Sequence, residues 1–138
     1  MILVDTNVFS ELQKTSPDPR VVGWLHAHRT MTALSTVVIA EIRMGIALTS
    51  GLRKRTILEG WLNRIILEHR AGRTFDFDTA AALKYGEITA ALQLDDRSVG
   101  AHDAMIAAQA LANGLPIATR NTKHFQHPEV ELIDPWEA

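Results

Sequence analysis

No cysteine occurs in the 138 residues, which excludes disulfides, zinc–thiolate centres and thiol nucleophiles. That absence suits a reducing compartment. Aromatic residues are scarce at 6%, so the three tryptophans, Trp24, Trp61 and Trp136, are expected in packing rather than in a base-stacking platform. Neither sign of charge dominates. The formal net charge is -2 with a pI near 6.3, so no global basic field advertises nucleic acid, which would have to be met by a local patch or through a metal. Long apolar runs are missing too. No uncharged stretch approaches the roughly 20 residues needed to span a bilayer. The start, Met1-Ile-Leu-Val-Asp5, has neither the basic region nor the apolar length of a signal peptide. A cytoplasmic protein without membrane association is the expectation.

What is present is ordinary in amount and informative in order. With 46% hydrophobic and 22% charged residues, the chain has the composition and length of a single globular domain over residues 1–138. Residues 2–4 form a short apolar run without alternation, as a strand buried on both faces does. Asp5-Thr-Asn opens a loop or the first turn of a helix, with Val8, Phe9 and Leu12 on one face. Asp18-Pro19 starts a second helix over Val21–His28. A strand over Thr30–Leu34 leads through an N-cap at Ser35 or Thr36 into a helix over Val37–Leu48, ended by Ser50-Gly51. Further helices are expected over Arg53–Leu67, from Asp78 or Thr79 to Leu94, and over Ala101–Asn113. Further strands are expected at Arg73–Phe77, Leu115–Ala118 and Val130–Ile133. Strands alternating with helices predict an α/β fold, a mostly parallel central sheet with helices on both faces.

Ligands of open parallel sheets bind beyond the carboxyl ends of the strands. Asp5 ends the first strand and Asn121 follows a later one, so both belong at that edge. Asp103 falls in the first turn of its helix, where a carboxylate gains ~0.3–1 kcal/mol from the dipole or serves as a cap; capping alone is the plainer account. Glu41 interrupts an apolar stretch, Val37-Val-Ile-Ala40 before it and Ile42, Met44 and Ile46 after it. A lone buried carboxylate must be paired, protonated or bound to a cation. The plainer account is a surface glutamate paired with Arg43 or Arg120. Taken together, three clustered acids repel one another, and a hard divalent cation with oxygen ligands relieves them. Such ions activate water and neutralise phosphate charge in nucleases.

Four segments in order carry a resemblance: Met1-Ile-Leu-Val-Asp5-Thr-Asn-Val-Phe-Ser-Glu11, Val38-Ile-Ala-Glu41-Ile-Arg-Met-Gly45, His102-Asp103-Ala-Met-Ile-Ala-Ala108 and Ala118-Thr-Arg-Asn121-Thr-Lys-His-Phe125. Together with Leu132-Ile-Asp-Pro-Trp136 they cover the chain nearly end to end. The sequence resembles PIN-domain ribonucleases, and within them the VapC-type toxins of toxin–antitoxin pairs, including the branch named for FitB. The resemblance implies a PIN-like three-layer sandwich and a Mg²⁺- or Mn²⁺-dependent endoribonuclease that hydrolyses RNA without a covalent intermediate. It implies metal-binding carboxylates at Asp5, Glu41 and Asp103, with Asn121 and Thr122 bordering the site and Thr6 and Asn7 steadying the metal shell or the scissile phosphate. It further implies a homodimer neutralised by a small antitoxin, through which DNA is met only indirectly. One position departs: the family commonly has an aspartate where this chain has His124, which offers no hard anionic ligand at neutral pH. One tight ion rather than two is therefore expected.

Arg43, Arg120 and Lys123 form a candidate phosphate-facing patch, with plain neutralisation of the acids by Arg43 or Arg120 as the alternative. The six histidines show no compact zinc spacing. Arg53-Lys-Arg55 reads as a solvated helix start. The apolar face of residues 57–66, with the helix before it, is a candidate dimer or antitoxin contact, with internal core as the competing account. A phosphoacceptor receiver lacks its acid pair after the first strand here, and a dehalogenase-like phosphatase lacks its second aspartate, since that position is Asn7. A PIN-like module that binds RNA or a partner without cutting is the remaining alternative.

Overall fold

The computed structural model describes residues 1–70, 72–125 and 127–138. Five strands, β1 (Ile2–Val4), β2 (Thr32–Ser35), β3 (Thr74–Phe75), β4 (Ile117–Ala118) and β5 (Leu132–Ile133), form one sheet in the order β3-β2-β1-β4-β5. All the pairings are parallel, with Leu3 opposite Ala33 on one side and Ile117 on the other. Helices α1 (Thr6–Glu11), α2 (Pro19–Ala27), α3 (Thr36–Ala47), α4 (Leu52–Glu68), α5 (Thr79–Leu94) and α6 (Ala101–Asn113) connect them.

The continuous apolar run of β1 has its reason in this order. Strand β1 is central, flanked by β2 and β4, and all three of its residues are buried. Leu3, Val4, Val8, Val38, Ile106 and Ile117 lose essentially all solvent contact, each worth about 1.5–3 kcal/mol of apolar burial. The three tryptophans belong to the same core. So do Trp61, Leu62 and Ile65 of α4, which settles the 57–66 face as mainly internal. Ile57 and Leu67 remain outside it, as do Met44, Leu48 and Leu52 at the α3–α4 corner.

Local capping chemistry fixes where the elements begin. Asp5, Asp18, Ser35 and Asp78 each stand at an N-cap and accept a backbone N–H with the side chain. Arg20 holds the half-buried Asp18 carboxyl down at about 2. The strands are shorter than the apolar runs that announce them. Leu115 is drawn into the end of α6, its N–H donating to Ala110 O at 2.9 Å with Gly114 in the left-handed region (φ 64°), a helix closure that satisfies orphan carbonyls. Pro116 has no N–H for a ladder, so β4 starts at Ile117. Arg73 stays outside β3 while its guanidinium donates to the carbonyls of Arg29, Thr32 and Glu68. Val130 is held in a turn by its N–H to His127 O. A short 3-10 turn at Thr122–Phe125, without apolar periodicity to announce it, buries Phe125 below the site edge.

Strand order reverses direction between β1 and β4, and that switch point is where the connections on either side diverge and leave a crevice at the carboxyl edge. Asp5 leaves one of these strands and Thr119 the other.

Candidate active site

Asp5 is 3% exposed and held by three donors. Its Oδ1 accepts the Thr6 N–H at 2.7 Å, and its Oδ2 accepts the Thr119 hydroxyl at 2.7 Å and the Asn7 amide at 3.2 Å. Thr119 is fully buried and in turn accepts the Asn121 N–H at 3.0 Å. Asn7 closes the loop by accepting the Arg120 N–H at 3.3 Å. The β1 and β4 exits are thus laced through one carboxylate. Burial raises the Asp5 pKa, opposed by the Thr119 hydroxyl and the Thr6 N–H, and the charge of Asp103 adds to the rise.

Glu41 sits on the face of α3 directed toward this loop. Burial again raises its pKa, His102 opposes the rise, and Asp5 and Asp103 add to it. His102 Nδ1 lies 3.7 Å from Glu41 Oε2, whereas Glu41 Oε1 is buried with no hydrogen-bond partner. The Thr6 hydroxyl, near enough to steady the Glu41 anion, closes no hydrogen bond of ordinary geometry and is likewise buried and unpartnered. Asp103, in the first turn of α6, has its Oδ2 3.1 Å from His124 Nδ1. The charge of Asp103 thus acts on both Asp5 and Glu41, and that of Asp5 on Glu41.

The flanking cations fall elsewhere. Arg43 lies 3.3 Å from Glu59 of α4, so it neutralises none of the three acids. The Arg120 guanidinium stacks 5.0 Å over Trp136, and Lys123 is exposed at the rim. Asn121 is exposed and Thr122 half-buried at the start of the 3-10 turn. Two features escaped the sequence reading. Thr119 carries the shortest side-chain contact to Asp5, and its signal was available, since it ends an apolar run as Asp5 does. His69 is buried at the opposite end of β2, where no pattern in its helix distinguished it.

A PIN domain model matches residues 2–130 of the chain. The chain belongs to the PIN domain family. It is 38% identical to "VapC ribonuclease Y4jK" of Sinorhizobium fredii, across 99% of both proteins. It is 37% identical to "Toxin FitB" of Neisseria gonorrhoeae, again across 99% of both. The solved "FitAB bound to IR36 DNA fragment" superposes on this PIN chain with a TM-score of 0.88 at 36% identity, covering 99% of this chain and 96% of that one.

PIN nucleases are associated with divalent metal, and the donors here suit a hard cation. Carboxylate and hydroxyl oxygens line the crevice, and the unpartnered Glu41 Oε1 and Thr6 Oγ1 are buried polar atoms that a cation with its water shell would satisfy. The arrangement is open. Among the described residues no three His, Cys, Asp or Glu side chains close into a ready-made metal shell.

Proposed function

We propose that this PIN chain is a metal-dependent endoribonuclease toxin that hydrolyses RNA phosphodiester bonds and is neutralised by a cognate antitoxin. The observation that carries the reading is the mutual charge of Asp5, Glu41 and Asp103 at the sheet's switch point, with a buried glutamate oxygen lacking any partner. Asp5, Glu41 and Asp103 would hold Mg²⁺ or Mn²⁺. When bound, the ion supplies charge neutralisation for the phosphate and acidity for an attacking water.

The chain's own residues do the remainder. Thr119, Asn7 and the Thr6 N–H fix the rotamer of Asp5 and favour its ionised form. Asn121 and Thr122 edge the crevice on the β4 side, where they can meet the RNA backbone. His124 orients Asp103 through the 3.1 Å contact, supporting that carboxylate from behind in place of the additional family aspartate. One tightly held ion follows. Arg120, engaged with Trp136, offers a phosphate only its unstacked edge.

The named likeness to a VapC ribonuclease and to a toxin supports the activity, and the FitAB assembly on DNA supports a partner that brings the pair to DNA. Homodimerisation and cytoplasmic location belong to the same reading. No described helix is long and apolar enough to cross a membrane. Met44, Leu48, Leu52 and Ile57 present an exposed apolar corner for a protein partner.

One feature favours a second reading, a PIN-like module that binds without cutting: both Glu41 and Asp103 already lie beside histidines. Sequencing RNA ends after incubation with wild type, Asp5→Asn and Asp103→Asn, with Mg²⁺ or with EDTA, decides between them. Metal-dependent ends confined to the wild type are expected. Cleavage that survives EDTA, or normal cutting by both variants, would sink the metal mechanism.

A further inference from the structure

Asp103 and His124 face two ways. Besides bordering the crevice, they line one end of a cavity of about 350 Å³ between α5 and α6. Its helical walls are apolar, aliphatics interleaved with alanines: Ile88, Ala91 and Leu92 from α5 and Ala104, Ala107 and Leu111 from α6. Alanines on both helices leave a slot between two hydrocarbon surfaces.

The rim has the opposite character. Lys84 lies 3.4 Å from Glu87 and is largely spent on it. That leaves Asp95 and Glu129 as carboxylates over the slot, with Arg97 and the His127 imidazole also lining it. A mouth with these carboxylates has acceptors for an N–H edge. It welcomes a flat, neutral group whose faces are apolar and whose edge carries N–H donors. A nucleobase has that form, and unstacked bases of single-stranded RNA are read through just such edges. Carboxylates accept from amino groups on bases. Guanine offers adjacent N1–H and N2–H donors, which one carboxylate can accept together. Uracil sets two carbonyls around a single N–H and meets the acids poorly.

Position selects RNA over a protein segment as the occupant. An RNA strand whose phosphate lies at Asp103 must lay its neighbouring nucleotide beside the same residue, and the slot opens there. We propose that the α5–α6 slot is a base-binding subsite that receives an unstacked nucleobase next to the scissile phosphate, preferring guanine and rejecting uracil. The proposal rests on the ribonuclease reading of the adjoining carboxylates.

Ala91 is exposed on α5, so Ala91→Trp fills the slot without entering the core, and Asp95→Asn removes an acceptor from the rim. With a random RNA pool and sequenced ends, wild type should favour guanine over uracil at one position flanking the cut by at least tenfold. Ala91→Trp should lose that preference yet keep cutting disfavoured sites, and Asp95→Asn should weaken it. Circular dichroism checks both folds, and Asp95→Asn decides the matter if Ala91→Trp is unfolded. A wild type that cuts without preference, or variants that keep it, overturns the subsite. If wild type cuts no RNA, the ribonuclease reading fails separately, and amide-shift titration with GMP and UMP judges the slot. Shifts at Ala91, Leu92 and Ala107 from GMP alone, lost in Ala91→Trp, uphold it. No shifts, equal shifts from UMP, or shifts only from an arginine-rich peptide reject it.

Discussion

Thr119 contributes one hydroxyl to the crevice, and that hydroxyl offsets much of what burial does to Asp5. Ionising Asp5 in a buried place is unfavourable, and the 2.7 Å Thr119 contact is the largest influence acting in the other direction. Groups that orient a metal-binding carboxylate typically matter 10–100-fold in metal affinity or activity. Thr119→Val should therefore weaken Mn²⁺ binding, measured by calorimetry, by about 10–100-fold while the far-ultraviolet spectrum stays native. An unchanged affinity would reduce Thr119 to a packing residue. His69 is a separate case, remote from the crevice. Its Nδ1 donates to Ile65 O at 2.7 Å and its Nε2 faces the Thr32 hydroxyl at 2.9 Å. Burial lowers its pKa, and Arg73 lowers it further, against the opposing pull of the Ile65 carbonyl and Glu68. A depressed histidine is stabilising above its ordinary titration range, and that stability is lost as pH falls through the lowered folded value. Urea unfolding from pH 7.5 to 5 should show wild type losing stability faster than His69→Gln, with a slope difference of at most ~1.4 kcal/mol per pH unit. Parallel slopes would contradict the assignment.

Among the elements, α3 and α6 carry two of the three acids, and a buried polar chain ties them. The Ser35 hydroxyl, which caps α3 by accepting the Val37 N–H at 3.0 Å, donates to the Gln109 side-chain carbonyl of α6, and the Gln109 amide donates to Phe75 O at 3.1 Å. Gln109→Leu leaves the buried Ser35 hydroxyl proton without its acceptor and Phe75 O without this donor, a loss of about 1–3 kcal/mol readable as a lower urea midpoint. A shift below ~0.5 kcal/mol would mean that solvent replaces the bond. Nothing in the Ala-rich run of α6 distinguishes Gln109 from a surface residue, because its partners lie 74 and 34 positions away. Local signals were legible where the cause was local. The caps at Asp18, Ser35 and Asp78 and the buried run of β1 were readable because each depends on neighbours in sequence, whereas the capping role of Asp5 was passed over in favour of a site role. The strand lengths were not. Leu115 belongs to a helix closure and Arg73 to a carbonyl cluster, both decided by residues that only the fold brings near. Strand-end placement and the resemblance pointed to the three acids as a group, whereas the contacts of His102 with Glu41 and His124 with Asp103 join residues far apart in sequence.

Across the whole molecule, the apolar surface is uneven. Leu48 is 79% and Leu52 75% exposed, beside Met44 and Ile57. Large exposed aliphatics gathered at one corner mark an interaction surface. Leu48→Asp with Leu52→Asp should leave the thermal midpoint within about 2 °C, since surface changes usually cost within ~0.5 kcal/mol. It should also weaken self-association or antitoxin binding at least tenfold, read by light scattering and by titration with the cognate antitoxin. Retention of both associations would remove this corner from consideration.

The hydrogen bond from Thr119 to Asp5 joins positions 114 apart, and protein synthesis delivers them at very different times. At about 5–20 residues per second, roughly 6–23 s separate the two. Throughout that interval a nascent chain owns its first carboxylate but no partner strand to hold it, because β1 lacks β4. The Asp5 end of the crevice is therefore finished late in translation: a chain stopped before Thr119 has the carboxylate but not the hydroxyl that holds it.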